Sequence, residues 1–237
     1  MTRIETTGEK RMEENQMNRY QKKIITIPNI LSFFRLCLIP VIIWLYCYKE
    51  EYINALAEVT AKYIRLNSTV NGWMEIQMQK MHNGEKTLGV HVRGTDFKRN
   101  YKGHPIKVST EEYLQTAKKV FEEKQYDRVF LATDDLEALN QFKNVFGNHL
   151  YYYEDVIRSA GDETVMKSDV TRENHHYLLG LEVLRDMCTL AECDGMIAGL
   201  SQVSLSARIW KKSQNKEFSD LYILDKGMNQ NGDICRG

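Results

Sequence analysis

The residues best suited to bind an anion lie in the hexapeptide HVRGTD, residues 91–96, which begins inside an apolar, strand-like run. Alternation along a strand puts His91 and Arg93 on one face, and Gly94 lets the chain turn away from the sheet. An arginine fixed at that point can hold a diphosphate through two parallel, charge-assisted hydrogen bonds, with Asp96 orienting its guanidinium or its loop. An ion pair between Arg93 and Asp96 that only closes a turn is the alternative interpretation.

A second apolar run, residues 128–132, continues as Thr133-Asp134-Asp135 immediately before a helical pattern. Carboxylates at a helix start often cap its free amides, whereas a functional use would be to orient Arg93 or a ribose hydroxyl. The two aspartates are sequential, and no further oxygen ligands follow at a suitable spacing. The sequence therefore predicts no metal site here.

A third candidate follows the apolar run GMIA, residues 195–198, which continues through a glycine to Ser201 and Gln202 and then opens a helix. The free amides and the dipole at such a helix start both favour a bound phosphate. Serine is also the commonest plain N-cap, so this stretch taken alone indicates a phosphate pocket only weakly.

These three stretches need a scaffold that brings them together. Five apolar runs predict strands, separated by segments with helical periodicity and by a capping-box sequence at 109–112. Strands that alternate with helices favour a parallel sheet covered on both faces, that is, a Rossmann-like α/β fold whose ligands bind at the carboxyl ends of the strands. The predicted strands are 87–92, 128–132, 150–153, 195–198 and 221–224.

Length and composition limit what else the chain can be. Its 237 residues, 43% of them hydrophobic, suffice for one ordinary core plus a separate anchoring segment. The 32 basic and 32 acidic residues balance, so no nucleic-acid partner is expected and any anion site must be local. The five cysteines form no CxxC pair, and with six histidines they offer no zinc-site spacing.

Five motifs occur in an order and approximate spacing that resemble one family: HVRGTD, LATDD, RSAG, DMCTLAECDG and GLSQVS. They are similar to the alpha-1,6-fucosyltransferases and their bacterial nodulation-type and protein O-fucosyltransferase relatives, over residues 86–226. The resemblance implies the C-terminal, donor-binding half of a GT-B glycosyltransferase. Such a domain would bind GDP-fucose without a metal and transfer fucose, with inversion, to a glycan or another hydroxyl acceptor.

The resemblance also implies roles for single residues. Arg93 corresponds to the arginine of the HxR motif that neutralises the β-phosphate, and Asp186 to the helix aspartate that reads guanine. From the residues alone, Asp186 would be only a surface carboxylate on a long apolar helix. The other donor-binding residues that the resemblance implies are His91, Asp96, Asp134, Asp135, Ser201 and Gln202.

Three departures from the family stand out. Gly94 occupies the place of a second arginine, so one phosphate contact is expected to be absent. Tyr101 stands near the position of an acidic candidate base, which leaves His104 as the substitute for deprotonating the acceptor. Only about forty residues separate the apolar N-terminal segment from HVRGTD, so the acceptor-side domain is expected to be missing.

The N-terminal part has its own pattern. Residues 24–48 are long and apolar enough to predict a membrane-associated, single-pass helix that contacts lipid. Residues 27–48 resemble the first helix of CDP-alcohol phosphatidyltransferases, although the aspartate array that those enzymes need does not occur. The predicted organisation is a polar leader (1–23), a hydrophobic helix (24–48), a helical connector (49–85), a GDP-sugar-binding domain (86–226) and a tail (227–237).

Two other functions compete with the fucosyltransferase reading. The N-terminal resemblance favours a phosphatidyltransferase-related membrane protein. The missing acceptor domain favours a non-catalytic remnant that binds nucleotide.

Overall fold

The structure of the chain is a computed structural model that describes residues 49–79, 84–94, 102–159 and 172–231. The chain divides into two compact units, Met1–Ile53 and Asn54–Gly237. The second unit contains the sheet and all the predicted site residues.

The sheet consists of five parallel strands in the order β3-β2-β1-β4-β5. This arrangement confirms the predicted Rossmann-like α/β fold. Strands β1 and β2 are almost entirely buried, which explains why their sequences are nearly continuous apolar runs. The strands are β1 (Thr87–Val92), β2 (Arg128–Thr133), β3 (Leu150–Tyr151), β4 (Gly195–Gly199) and β5 (Asp220–Leu224).

Helices cover both faces of this sheet. Helices α3 and α4 pack on the face that carries Val90 and Leu131, and helices α2, α5 and α6 pack on the face that carries Phe130 and Met196. The α-helices within the described residues are α1 (Lys49–Tyr63), α2 (Ser68–Met78), α3 (Thr110–Glu123), α4 (Leu136–Phe146), α5 (His175–Glu192) and α6 (Gln202–Ser213).

The start of α3 confirms the capping-box prediction. Ser109 Oγ accepts a hydrogen bond from the Glu112 N–H at 3.3 Å, and the Glu112 carboxylate accepts one from the Ser109 N–H at 3.0 Å. The Lys226 ammonium lies 2.6 Å from the same carboxylate and, with Ser109, lowers the pKa of Glu112 to about 2. The segment after β5 is thereby fixed to the start of α3.

The strand order reverses at the centre of the sheet. The chain leaves β1 through α3 to β2 on one side, and it returns through α5 to β4 on the other side of β1. In open α/β sheets, ligands bind in the crevice beyond the carboxyl ends of the two strands at such a switch point. The fold therefore directs attention to the residues that follow β1 and β4.

The predicted single-pass localisation is contradicted. In the part of the chain that the structure describes, no helix is both long and apolar enough to cross a bilayer. The hydrophobic segment on which the membrane prediction rested, residues 24–48, lies outside the described residues, as does the predicted polar leader, residues 1–23. The predicted connector contains two helices, α1 and α2.

Candidate functional site

A direct contact joins the two strand ends at the switch point. His91, 8% exposed, lies near the end of β1, and its Nδ1 is 3.2 Å from Ser201 Oγ. Ser201 is the N-cap of α6, and its hydroxyl accepts the Ser204 N–H at 3.1 Å. The Ser204 hydroxyl in turn donates to the Gly199 carbonyl at 2.8 Å. The histidine of HVRGTD and the helix start of GLSQVS thus form one hydrogen-bonded group.

Arg93 follows β1 directly and is partly buried. It lies within electrostatic range of the Tyr113 hydroxyl, which accepts a hydrogen bond from the Gly199 N–H. Burial raises the pKa of Tyr113 to about 12, against the opposing effects of that hydrogen bond and of the Arg93 charge. The Tyr113 hydroxyl is therefore neutral, and it lies at the strand end that leads into α6.

The two aspartates after β2 have different structural roles. Asp135 is the N-cap of α4, and its Oδ1 accepts the N–H groups of Glu137 at 2.9 Å and of Ala138 at 3.4 Å. Asp134 Oδ1 instead accepts the Gly94 N–H at 2.9 Å. The capping alternative therefore holds for Asp135, while Asp134 fixes the backbone immediately after Arg93.

Gly94 has no room for a side chain in this conformation. A Cβ at this position would lie 2.6 Å from Asp134 Oδ1 and 2.6 Å from Asp135 Cβ. Real Cβ atoms do not approach other atoms so closely, so Asp134, Asp135 or the backbone of the turn would have to move. This turn, as it is folded here, therefore excludes any side chain at position 94.

We expect Gly94→Ala to destabilise the fold by about 1–3 kcal/mol, the usual cost of overpacking. Urea unfolding followed by circular dichroism measures the change. Gly180→Ala is the matched control, because a Cβ there meets nothing within 4 Å. On α5 it should stabilise the chain by a few tenths of a kcal/mol up to about 1. Equal unfolding midpoints for Gly94→Ala and wild type would disprove the steric argument.

Asp186 belongs to a second group of residues, on α5. Asp186 is partly buried, and its carboxylate makes no hydrogen bond or ion pair with any residue that the structure describes. Dense packing raises the pKa of Asp186 to about 7, although Arg185 and Arg158 lower it. Glu182 and Asp155 raise it further. Among the described residues this carboxylate has no partner, unlike the ordinary surface group that the residue pattern suggested.

The remaining predicted residues are less informative. Gln202 is the exposed first residue of α6. His104 is exposed in the loop before α3, where its carbonyl accepts the Asn229 N–H at 2.8 Å. Backbone pairing with 227–229 therefore positions the loop that carries His104. Asp96 lies outside the described residues.

A cavity of about 490 Å³ lies at the starts of α3 and α4. Lys107, Glu111, Asp135, Glu137 and Gln141 line it together with two hydroxyl residues. It shares only Asp135 with the predicted donor-binding residues. Across the described ranges, no cluster of three or more His, Cys, Asp or Glu is arranged to hold a metal ion.

Comparisons with known proteins gave matches only among solved structures. No family model and no curated protein matches the chain. The fucosyltransferase NodZ from Bradyrhizobium matches with a TM-score of 0.40 and 20% identity, over 62% of this chain and 42% of that one. POFUT1 in complex with GDP-fucose matches with a TM-score of 0.39 and 11% identity, over 69% and 48%. The chain spans less than half the length of these enzymes, and nothing supports the phosphatidyltransferase resemblance of residues 27–48.

Two residues of this region escaped the sequence analysis. Tyr113 stands on the apolar stripe of α3, where a tyrosine reads as core packing, and only the fold shows its hydroxyl against Gly199. Arg158 precedes the SAG of the RSAG motif and comes within electrostatic range of Asp186. The motif itself was the available signal for Arg158.

Proposed function

We propose that this chain is the donor-binding half of a fucosyltransferase-like, GT-B glycosyltransferase that binds GDP-fucose and transfers fucose to a hydroxyl acceptor with inversion. The observation that carries the proposal is the contact between His91 and Ser201. It brings the HVRGTD and GLSQVS motifs together at the switch point of the sheet, where a parallel α/β fold binds its ligand.

The diphosphate would lie between Arg93 and the start of α6. Negative charge grows on the departing GDP as the bond between fucose and the β-phosphate breaks. A guanidinium fixed by the sheet and the free amides at the start of a helix stabilise that charge without rearranging. His91, held by Ser201, would add a donor from the floor of the crevice, and Asp134 keeps the turn that carries Arg93 in place.

The base would be read by Asp186. Guanine presents two adjacent donors, the N1–H and the 2-amino group, and an ionised carboxylate can accept both. A carboxylate that makes no hydrogen bond with a described residue is free to do this. Adenine has no donor at these positions, so the site should discriminate strongly between the two purines.

The acceptor side of the reaction needs a catalytic base. An inverting transfer needs a base that takes the proton from the acceptor hydroxyl while that oxygen attacks the anomeric carbon of fucose. His104, exposed near the carboxyl edge of the sheet, is the candidate. A non-catalytic, nucleotide-binding domain is the second candidate function.

Calorimetric titration of the full chain tests the donor proposal. We expect GDP and GDP-fucose to bind, and ADP to bind at least about 100-fold more weakly because it leaves Asp186 unpaired. Equal binding of GDP and ADP, or no binding of either guanine nucleotide, would overturn the proposal. Release of fucose from GDP-fucose without acceptor, followed by chromatography, separates a catalytic domain from one that only binds.

A further inference from the structure

A fully buried arginine joins three separate segments on the α5 side of the sheet. Arg185 is 0% exposed, and its two terminal nitrogens lie 2.6 and 2.9 Å from the carboxylate oxygens of Asp155. Gln77 Oε1 of α2 accepts from the same guanidinium at 3.2 Å. The ring of Tyr153, 3.8 Å away, covers one side of it, and that of Trp73 lies at 5.4 Å.

The carboxylate that pairs with this buried arginine is itself exposed to solvent. Asp155 is 65% exposed and belongs to the short loop that follows β3. A fork-shaped pair of hydrogen bonds fixes orientation as well as distance. The pair therefore attaches the loop, residues 153–158, to the side of α5 at the residue just before Asp186.

The same loop carries Arg158 at its other end. The Arg158 guanidinium donates to the carbonyls of Val156 at 3.1 Å and Tyr153 at 2.8 Å, so its position depends on the path of the loop backbone. It also lies 5.3 Å from the ring centre of Tyr152. Any change in how the loop is attached to α5 will move this charge relative to Asp186.

We propose that Asp155 and Arg185 are positioning residues: their ion pair holds the loop 153–158 against α5 and thereby sets the position of the Arg158 charge relative to Asp186. If the proposed function is correct, the pair sets the pH range in which the domain recognises guanine. This consequence rests on the proposed function, whereas the coupling of the pair to Asp186 does not.

The charges around Asp186 determine in which direction its pKa should move when the ion pair is broken. Arg185 and Arg158 lower the pKa of Asp186, and Glu182 and Asp155 raise it, with Arg158 having a larger effect than Asp155. Removing the Asp155 charge alone, with the loop unmoved, would lower the pKa of Asp186. Releasing the loop and displacing Arg158 would raise it, because the larger effect is lost.

The test is a carbon-13 NMR titration of the Asp186 carboxyl in the ligand-free chain. We expect Asp155→Asn to raise its midpoint by up to about one unit, and Arg158→Gln to raise it similarly. The double variant should rise no further than Arg158→Gln alone, because both changes remove the same interaction. Glu154→Gln, which neutralises an exposed carboxylate one residue away, is the matched control and should leave the midpoint unchanged.

A lowered or unchanged midpoint in Asp155→Asn would overturn the proposal. Should that variant unfold during the titration, Asp155→Glu replaces it, since it displaces the carboxylate and keeps its charge, and a raised midpoint is again expected. GDP affinity measured against pH then separates the two proposals. A shifted carboxyl midpoint without GDP binding rejects only the proposed function, and GDP binding with an unshifted midpoint rejects only the positioning role.

Discussion

Replacing Arg93 with alanine should weaken GDP binding by at least about 100-fold. Arg93 follows the central strand directly and lies within electrostatic range of the Tyr113 hydroxyl. Hydrogen bonds to charged groups contribute about 1.5–3 kcal/mol each, and an arginine can make two of them to a diphosphate. Calorimetry with GDP measures the loss, and the affinity for guanosine, which has no phosphate, should change little.

Two further variants show whether the shape of the Arg93 guanidinium or only its positive charge is responsible for GDP affinity. Arg93→Lys keeps the positive charge but loses the planar fork, so an intermediate affinity is expected. Lys102→Ala removes an exposed cation from the loop that follows the same strand and should leave GDP affinity nearly unchanged. The unfolding midpoint is measured in parallel, because Arg93 has structural partners of its own. Unchanged GDP affinity in Arg93→Ala would remove the basis of the proposed mechanism.

The scaffold was predictable because its signals are local. The three interior strands, β1, β2 and β4, appeared as largely apolar runs, since a parallel strand covered by helices on both faces buries nearly every side chain. The STEE sequence at 109–112 specified the start of α3 through hydrogen bonds between neighbouring residues. Elements of this kind can be inferred without knowing what packs against them.

The site was only partly predictable because its contacts are distant in sequence. His91 and Ser201 were each suspected from the strand end that they follow, but their hydrogen bond depends on which strands are neighbours. The pair Asp134-Asp135 shows the same limit. Its sequence does not say that one carboxylate caps α4 while the other accepts from Gly94.

The environment of Asp186 could not be derived from its own helix. A carboxylate beside an arginine on an amphipathic helix reads as an ordinary surface pair. In the folded chain Arg185 pairs with Asp155, and the charges that act on Asp186 come partly from the loop after β3. Only the family resemblance had singled out Asp186.

Asp186 should also reduce the stability of the fold. Its native pKa of about 7 lies well above the value of about 3.9 expected in an unfolded chain. Between these values the native state holds a proton that the unfolded state lacks, so the contribution of this residue to stability falls as pH rises from about 4 to 7. Above pH 7 the full penalty remains. Functional sites commonly carry such a cost.

Replacing Asp186 with asparagine should therefore stabilise the chain at pH 8 by about 1–2 kcal/mol, a figure reduced because the asparagine amide is itself a polar group in a partly buried position. The gain should shrink as pH falls towards 4. The same variant should weaken GDP binding by at least about 100-fold, because an amide cannot accept both guanine donors. Urea unfolding at pH 5 and pH 8 and calorimetry with GDP measure the two effects.

Glu154→Gln is the appropriate control, since it neutralises an exposed carboxylate and should change neither quantity. If Asp186→Asn were less stable than wild type at pH 8, the carboxylate would have to be a structural acceptor. If it were more stable and still bound GDP normally, the base would have to be read elsewhere. Only a simultaneous gain in stability and loss of affinity agrees with a carboxylate held unsatisfied for a ligand, because a packing residue would lose both or neither.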